Sequence, residues 1–212
     1  MIDIYDANLR PLGRMERRAA HLAGHWHKAF HCWIVNGQGV GSLLFQHRSP
    51  SVPNFADLLD ISAAGHLQAG ETLAQGIREV GEELGIPVSM DEMHPLGYRV
   101  EVVDDALGQR NREYQMVYLH RRDLPLSTYR PRVEEVTGLV WLELPAGLAL
   151  FSGEREEVTV SGIEWDPAGG EWREVTRHVR RADFVPRIPN YYLTVCIMAE
   201  RLLESRFPLA IG

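Results

Sequence analysis

The sequence predicts an α/β fold, an α/β/α sandwich around a mixed β-sheet with a C-terminal β-hairpin and helix. Three observations lead there. Short segments of alternating polarity recur along the 212 residues, separated by Gly-, Pro-, Asn- and Asp-rich turns. Residues 72–85 and 188–207 instead carry apolar side chains at helical spacing. The length suits one domain over 1–212, with about 1–27 as an N-terminal extension, about 150–185 as an inserted hairpin and about 189–207 as a C-terminal helix.

The elements follow in order. Residues 2–14 read as two short strands joined at Asp6-Ala7-Asn8, and Arg14–Ala23 as a short helix. Phe30–Val35 and Gly41–His47 form a strand pair turned at Gly37-Gln38-Gly39. Residues 48–57, with two prolines, are a loop, and Leu59–Ala63 is a strand. Met93–Val103 and Glu113–His120 alternate as strands, with 104–111 as the turn between them, and Leu139–Leu144 is a further strand. VTVSGIEW (158–165) and EWREVTRHV (171–179) flank a Gly-rich turn and predict a hairpin with Trp165 and Trp172 beside the turn. Those aromatics serve either packing or a base-stacking platform. The hairpin would cover a site or support a homodimer. From 188 onward, Tyr192, Val195, Met198/Ala199 and Leu202 mark an amphipathic helix.

The chemistry concentrates in GHLQAGETLAQGIREVGEELGI (65–86). Thr72 and Gln75 fit a capping box, and Gly85 suits the left-handed residue that ends a helix. Leu73, Ile77, Val80 and Leu84 would face the core. Glu79, Glu82 and Glu83 stand at i, i+3 and i+4, so their like charges crowd one region of the helix. A divalent cation relieves that repulsion, and hard cations such as Mg²⁺ bind carboxylates and phosphates together. A run of carboxylates is ordinarily a solvated face; here it is joined in fixed order to Gly65, Gly70, Glu71 and Arg78. Gly76 and Gly81 each cost a helix interior roughly 1 kcal/mol relative to Ala, which points to close packing or a functional constraint.

This segment resembles the Nudix box, G-x5-E-x7-R-E-U-x-E-E-x-G-U, in which U is aliphatic. Gly65, Glu71, Arg78, Glu79, Val80, Glu82, Glu83, Gly85 and Ile86 match by type. One residue is missing between Glu71 and Arg78, which leaves Glu79, Glu82 and Glu83 in register and loosens the expectation for Glu71. The flanks, AAHLAGHWHKAFHCWIV (19–35) and LDISAAGHLQAGE (59–71), are similar to type 1 isopentenyl-diphosphate isomerase, itself a Nudix-fold enzyme. That resemblance implies a second metal site at His21, His27, His66 and Glu113, with Asn111 in place of a further glutamate. It also implies that loop 48–57 lies over the substrate mouth. His25 and His31 have no counterpart and are expected to be structural or solvent-facing. Ala64 stands where the isomerase has its catalytic cysteine, and an alanine cannot move a proton at carbon.

The resemblance therefore implies a metal-dependent pyrophosphohydrolase using Mg²⁺ or Mn²⁺. Glu79, Glu82 and Glu83 would hold metal, Glu82 or Glu83 would take the proton of a water, and Arg78 would orient the carboxylates. Gly65, Gly70 and Glu71 would shape the substrate loop. Glu134 and Glu135 are further candidates for the base, or else cap a turn. The substrate would be a nucleoside diphosphate derivative or another organic diphosphate. The rivals are an isomerase and a catalytically silent nucleotide sensor. A net charge of −7 without a basic run speaks against a nucleic-acid polymer as partner. Two separated cysteines predict a reducing compartment, and the absence of an apolar leader or spanning run predicts a cytoplasmic protein off the membrane.

Overall fold

A computed structural model describes residues 1–104, 108, 110–188 and 190–211. An N-terminal hairpin, β1 (Ile2–Tyr5) and β2 (Pro11–Met15), stands apart from the main sheet. Arg14 belongs to β2, so the helix expected from Arg14 begins only at Arg17 (α1, Arg17–Ala23). Glu16 sets that start by accepting from the backbone N–H groups of Arg18 and Ala19 at 2.9 Å each.

The main sheet has nine strands. They are β3 (His27–Asn36), β4 (Ser42–Arg48), β5 (Leu59–Asp60), β6 (Ala63–His66), β7 (Met93–Asp104), β8 (Arg110–Arg121), β9 (Val136–Glu143), β10 (Glu157–Asp166) and β11 (Glu171–Arg180). Its path is β11-β10-β9-β4-β3-β8-β7, with β3 and β8 parallel and the other pairs antiparallel. β3 is apolar on both faces: Trp33 and Val35 join one core, Phe30, Cys32 and Ile34 the other. α3 (Leu144–Ser152) and α4 (Tyr191–Leu203) cover the first face and α2 (Arg78–Leu84) the second, which completes the α/β/α sandwich. Among the described residues no helix is long and apolar enough to cross a membrane.

The opening in this sheet positions the site. β3 and β4 pair only at Val35–Leu43 and Asn36–Ser42, then diverge. β5 lines β4 and β6 lines β3 inside the wedge. The single strand expected over Leu59–Ala63 is thus two, broken at Ile61-Ser62. There the Ser62 hydroxyl accepts from Ile34 N–H at 2.9 Å, and the chain changes partner strand.

Other elements also depart from expectation. The helix expected from Thr72 to Gly85 starts as a 3₁₀ turn (Leu73–Ile77) and becomes α-helical at Arg78. Gln75 Oε1 accepts from Thr72 N–H at 2.8 Å, and Gly85 closes the helix at φ 66°. Gly76 is where that turn presses on the sheet: a Cβ there would lie 2.7 Å from Leu67 and 2.9 Å from Phe30. The strand expected over Leu139–Leu144 runs instead over Val136–Glu143, because Leu144-Pro145 opens α3, a helix not foreseen. α4 is shorter than 188–207 and buries Tyr192, Val195, Ala199 and Leu202. The turn expected over 104–111 lies largely outside the described residues.

Candidate active site

Three consecutive residues of β6 each meet a different carboxylate. Ala64 N–H donates to Glu83 at 3.0 Å. Gly65 faces Glu79 so closely that a Cβ there would overlap the carboxylate. The His66 ring meets Glu113 at 3.0 Å, and its backbone carbonyl accepts from Arg78 at 3.2 Å. β6 thus joins the helix carboxylates to the histidine cluster.

On the helix side Arg78 is the hub. It grips Glu71 with two bonds of 2.7 and 3.1 Å and reaches Glu79 at 2.8 Å and Glu82 at 3.1 Å. Glu71 is therefore in place despite the missing residue before Arg78, and its bond to Arg78 lowers its pKa. Burial raises the pKa of Glu79. Burial also pushes Glu83 up to about 8, although Ala64 N–H and Gln46 Nε2 both donate to it at 3.0 Å. Glu82 is the most exposed of the three, with 42% of its side chain open. Gly70 turns the loop at φ 87° and donates its N–H to Asp3 at 2.7 Å.

His21, His27, His66 and Glu113 place their ligand atoms within 4.8 Å of one another. Among the described residues no other such cluster forms, so Glu79, Glu82 and Glu83 are not drawn together in the same way. His27 Nδ1 donates to His25 carbonyl oxygen at 2.9 Å, which in the neutral ring leaves the Nε2 lone pair facing Glu113 at 3.5 Å. The Nε2 atoms of His21 and His27 are buried without a hydrogen-bond partner. Burial, with the neighbouring histidines, pushes His21 down to about 4, so its ring is neutral at pH 7. Burial opposes the charge on Glu113, yet the His27 and His66 rings beside it hold its pKa well below the ordinary value. Three imidazoles and an ionised carboxylate with orphaned nitrogens fit a divalent metal ion. Gln115 Nε2 donates to the outer oxygen of Glu113 at 2.6 Å and orients it.

Beyond Gln115 lies a buried ionic wall that the sequence reading missed. Gln115 also donates to Glu101 at 3.1 Å, and Arg99 pairs with Glu101 at 2.5 Å. Arg187, from the segment before α4, spans Glu101 at 3.4 Å and Asp60 at 2.6 Å. Arg48 closes the chain on Asp60 at 3.4 Å. His31 is structural, buried with Nδ1 2.9 Å from the Tyr191 hydroxyl; His25 supplies only its carbonyl to this region. The Asn111 side-chain oxygen is buried without a hydrogen-bond partner. Glu134 and Glu135 are exposed, and Glu135 pairs with Arg132 at 3.9 Å. Cys32 and Cys196 are buried thiols whose pKa values burial raises, Cys196 to about 12, so neither is a nucleophile.

An α/β/α sandwich whose helix presents Arg78 among Glu71, Glu79 and Glu82 is the architecture of a diphosphate-processing domain. Residues 25–161 match the family described as the NUDIX domain. An uncharacterised Nudix hydrolase of Clostridium acetobutylicum is 31% identical over 196 residues, 92% of this chain and 94% of that protein. The isopentenyl-diphosphate Δ-isomerase of Burkholderia multivorans is 28% identical over 160 residues, covering 74% and 85% of the two chains. A solved protein of Deinococcus radiodurans, DR0079, superposes with a TM-score of 0.56 at 25% identity, covering 72% of this chain and 88% of its own. The chain belongs to the Nudix family, with isomerase-like relatives that share the fold. It is accordingly a hydrolase acting on phosphorus-containing acid anhydrides.

Proposed function

We propose that the protein is a divalent-metal-dependent pyrophosphohydrolase that cleaves the diphosphate of a nucleoside diphosphate derivative or another polar organic diphosphate. The observation that carries this reading is β6, where Ala64, Gly65 and His66 join Glu83, Glu79 and Glu113 along one edge. Glu79, Glu82 and Glu83 would hold Mg²⁺ or Mn²⁺. The histidine cluster, by its donor set, suits Mn²⁺ better than Mg²⁺. A metal held by these residues would neutralise charge on the diphosphate and lower the pKa of a water beside it. Arg78, 2.8 Å from Glu79 and 3.1 Å from Glu82, keeps both carboxylates aimed. Glu82, the most open of these carboxylates, would take the water's proton. Glu83, held between Ala64 and Gln46, is the less mobile ligand.

The isomerase reading is disfavoured. Ala64 offers no proton donor to carbon, and Cys32 and Cys196 are buried thiols elsewhere. The test is phosphate and nucleotide release from a panel of organic diphosphates, isopentenyl diphosphate included, with Mg²⁺ and Mn²⁺. Turnover that disappears in Glu82→Gln supports hydrolysis. Binding without turnover by the wild type would favour a sensor, and double-bond migration would restore the isomerase.

A further inference from the structure

A cavity of about 470 Å³ lies apart from the helix carboxylates and the histidine cluster, none of which lines it. It lies between the 49–57 loop, the 133–137 segment and the end of the β10–β11 hairpin. Its size falls within the ordinary range of small-molecule pockets. Trp165, Pro50 and Pro167 supply apolar walls, Thr137 a hydroxyl, and Asp57 and Glu134 carboxylates. No Lys or Arg lines it. Glu164 also faces it but is already engaged by Arg177 and by His47 at 3.5 Å. Among the described residues the side chains of Asp57 and Glu134 make no ion pair. Trp165 stands in register with Trp172 across the hairpin, ring centroids 5.6 Å apart, so its indole is braced.

The cavity and the proposed catalytic groups share one end of the sheet. β3 starts there at His27, β4 ends there at Arg48, β9 starts there at Val136, and β10 ends there at Asp166. Gln46, which holds Glu83, is on β4; Thr137 is on the adjacent β9 and Trp165 on the next strand, β10. Two strand spacings come to about 10 Å. A group joined to a diphosphate beside Glu83 would have about two strand spacings to cover before it met Trp165.

We propose that this cavity binds the non-phosphate half of the substrate, and that its occupant is a heteroaromatic base bearing an exocyclic amino group. This rests on the hydrolase reading given above. A flat ring stacks on Trp165. The absence of cationic side chains disfavours phosphate at this end. The free carboxylates of Asp57 and Glu134 accept from an amino group and face a ring carbonyl unfavourably. Adenine, cytosine and guanine carry such an amino group and uracil does not.

The test is calorimetric titration with adenosine, cytidine and uridine, none of which carries phosphate, against wild type, Trp165→Leu and the exposed Glu134→Lys. The expected result is binding of adenosine and cytidine, weaker binding of uridine, and a loss of roughly tenfold or more in Trp165→Leu. Glu134→Lys should erase the preference over uridine. Absence of adenosine and cytidine binding to wild type would overturn the proposal, as would equal binding by both variants. Turnover of organic diphosphates, abolished by Glu82→Gln, is read separately. Turnover without nucleoside binding ends the cavity proposal and leaves the hydrolase. Nucleoside binding without any turnover ends the hydrolase reading and leaves the cavity.

Discussion

Arg78 and Arg187 are both set among carboxylates, and they reach that setting by opposite routes. Arg78 takes Glu71, Glu79 and Glu82 from within seven residues of itself, and 24% of its side chain is exposed. Arg187 takes Asp60 and Glu101 from 127 and 86 residues away, with only 11% exposed. The first cluster follows from helical spacing and a loop, so it forms wherever that local sequence folds. The second exists only when β5, β7 and the segment before α4 have all packed. Local charge clusters near water contribute little to stability and can serve chemistry. Buried, distant ones fix the arrangement of the fold and are costly to break.

Three variants sharpen or break this contrast. Arg187→Met leaves Asp60 and Glu101 short of a buried partner and should cost about 3–5 kcal/mol in denaturant unfolding. A loss below about 1 kcal/mol would put the wall on a par with an exposed pair. Glu83→Gln comes next, measured on chelated protein. Burial holds Glu83 at about 8, above its ordinary 4.5, so the folded state keeps a proton that the unfolded chain releases. That contribution is complete below about 4.5 and is lost as pH rises through about 8. The variant should therefore gain in Tm over wild type between roughly pH 5 and pH 8 and then level off. A constant difference across that range would argue that Glu83 is ionised throughout. Arg78→Met should cost least in stability, about 1 kcal/mol or less. It should nevertheless lower hydrolysis by about 10–100-fold, because Glu79 and Glu82 lose the group that orients them. Full activity in that variant would remove Arg78 from the site.

The same contrast governs what could be read from the chain. The order of Gly65, Glu71, Arg78, Glu79, Glu82, Glu83 and Gly85 is local, and Arg78 meets Glu71, Glu79 and Glu82 across the one-residue shortening. The histidine cluster was legible only through family resemblance, since His21, His27, His66 and Glu113 meet across four elements. The wall was hidden by an inverted alternation. On β7 the exposed side chains are Tyr98, Val100 and Val102, while Arg99 and Glu101 point inward, so the usual rule places the wrong face in the core. Gln115 is concealed for the same reason on β8, where it is fully buried. α3 was missed because LELPAGLAL reads as a continuing apolar strand. Only the packing of Gly147, where a Cβ would lie 2.9 Å from Cys196 Sγ, shows a helix pressed onto α4.

The segment from Phe184 to Tyr191 has a consequence for biosynthesis. Val185 N–H bonds to Leu59 carbonyl oxygen, Arg187 closes on Asp60, and the Tyr191 hydroxyl meets both His31 and Trp33. On the ribosome the histidines, the box helix and most of the sheet emerge early. The ionic wall beside them still lacks its last cation until residues near 190 clear the exit tunnel. A nascent chain stalled before that point holds Asp60 and Glu101 without Arg187, and its contacts of longest sequence separation are the last to close. The hydrolase is thus completed late, and stalled nascent chains held with Arg187 inside or already outside the exit tunnel should differ sharply in protease resistance.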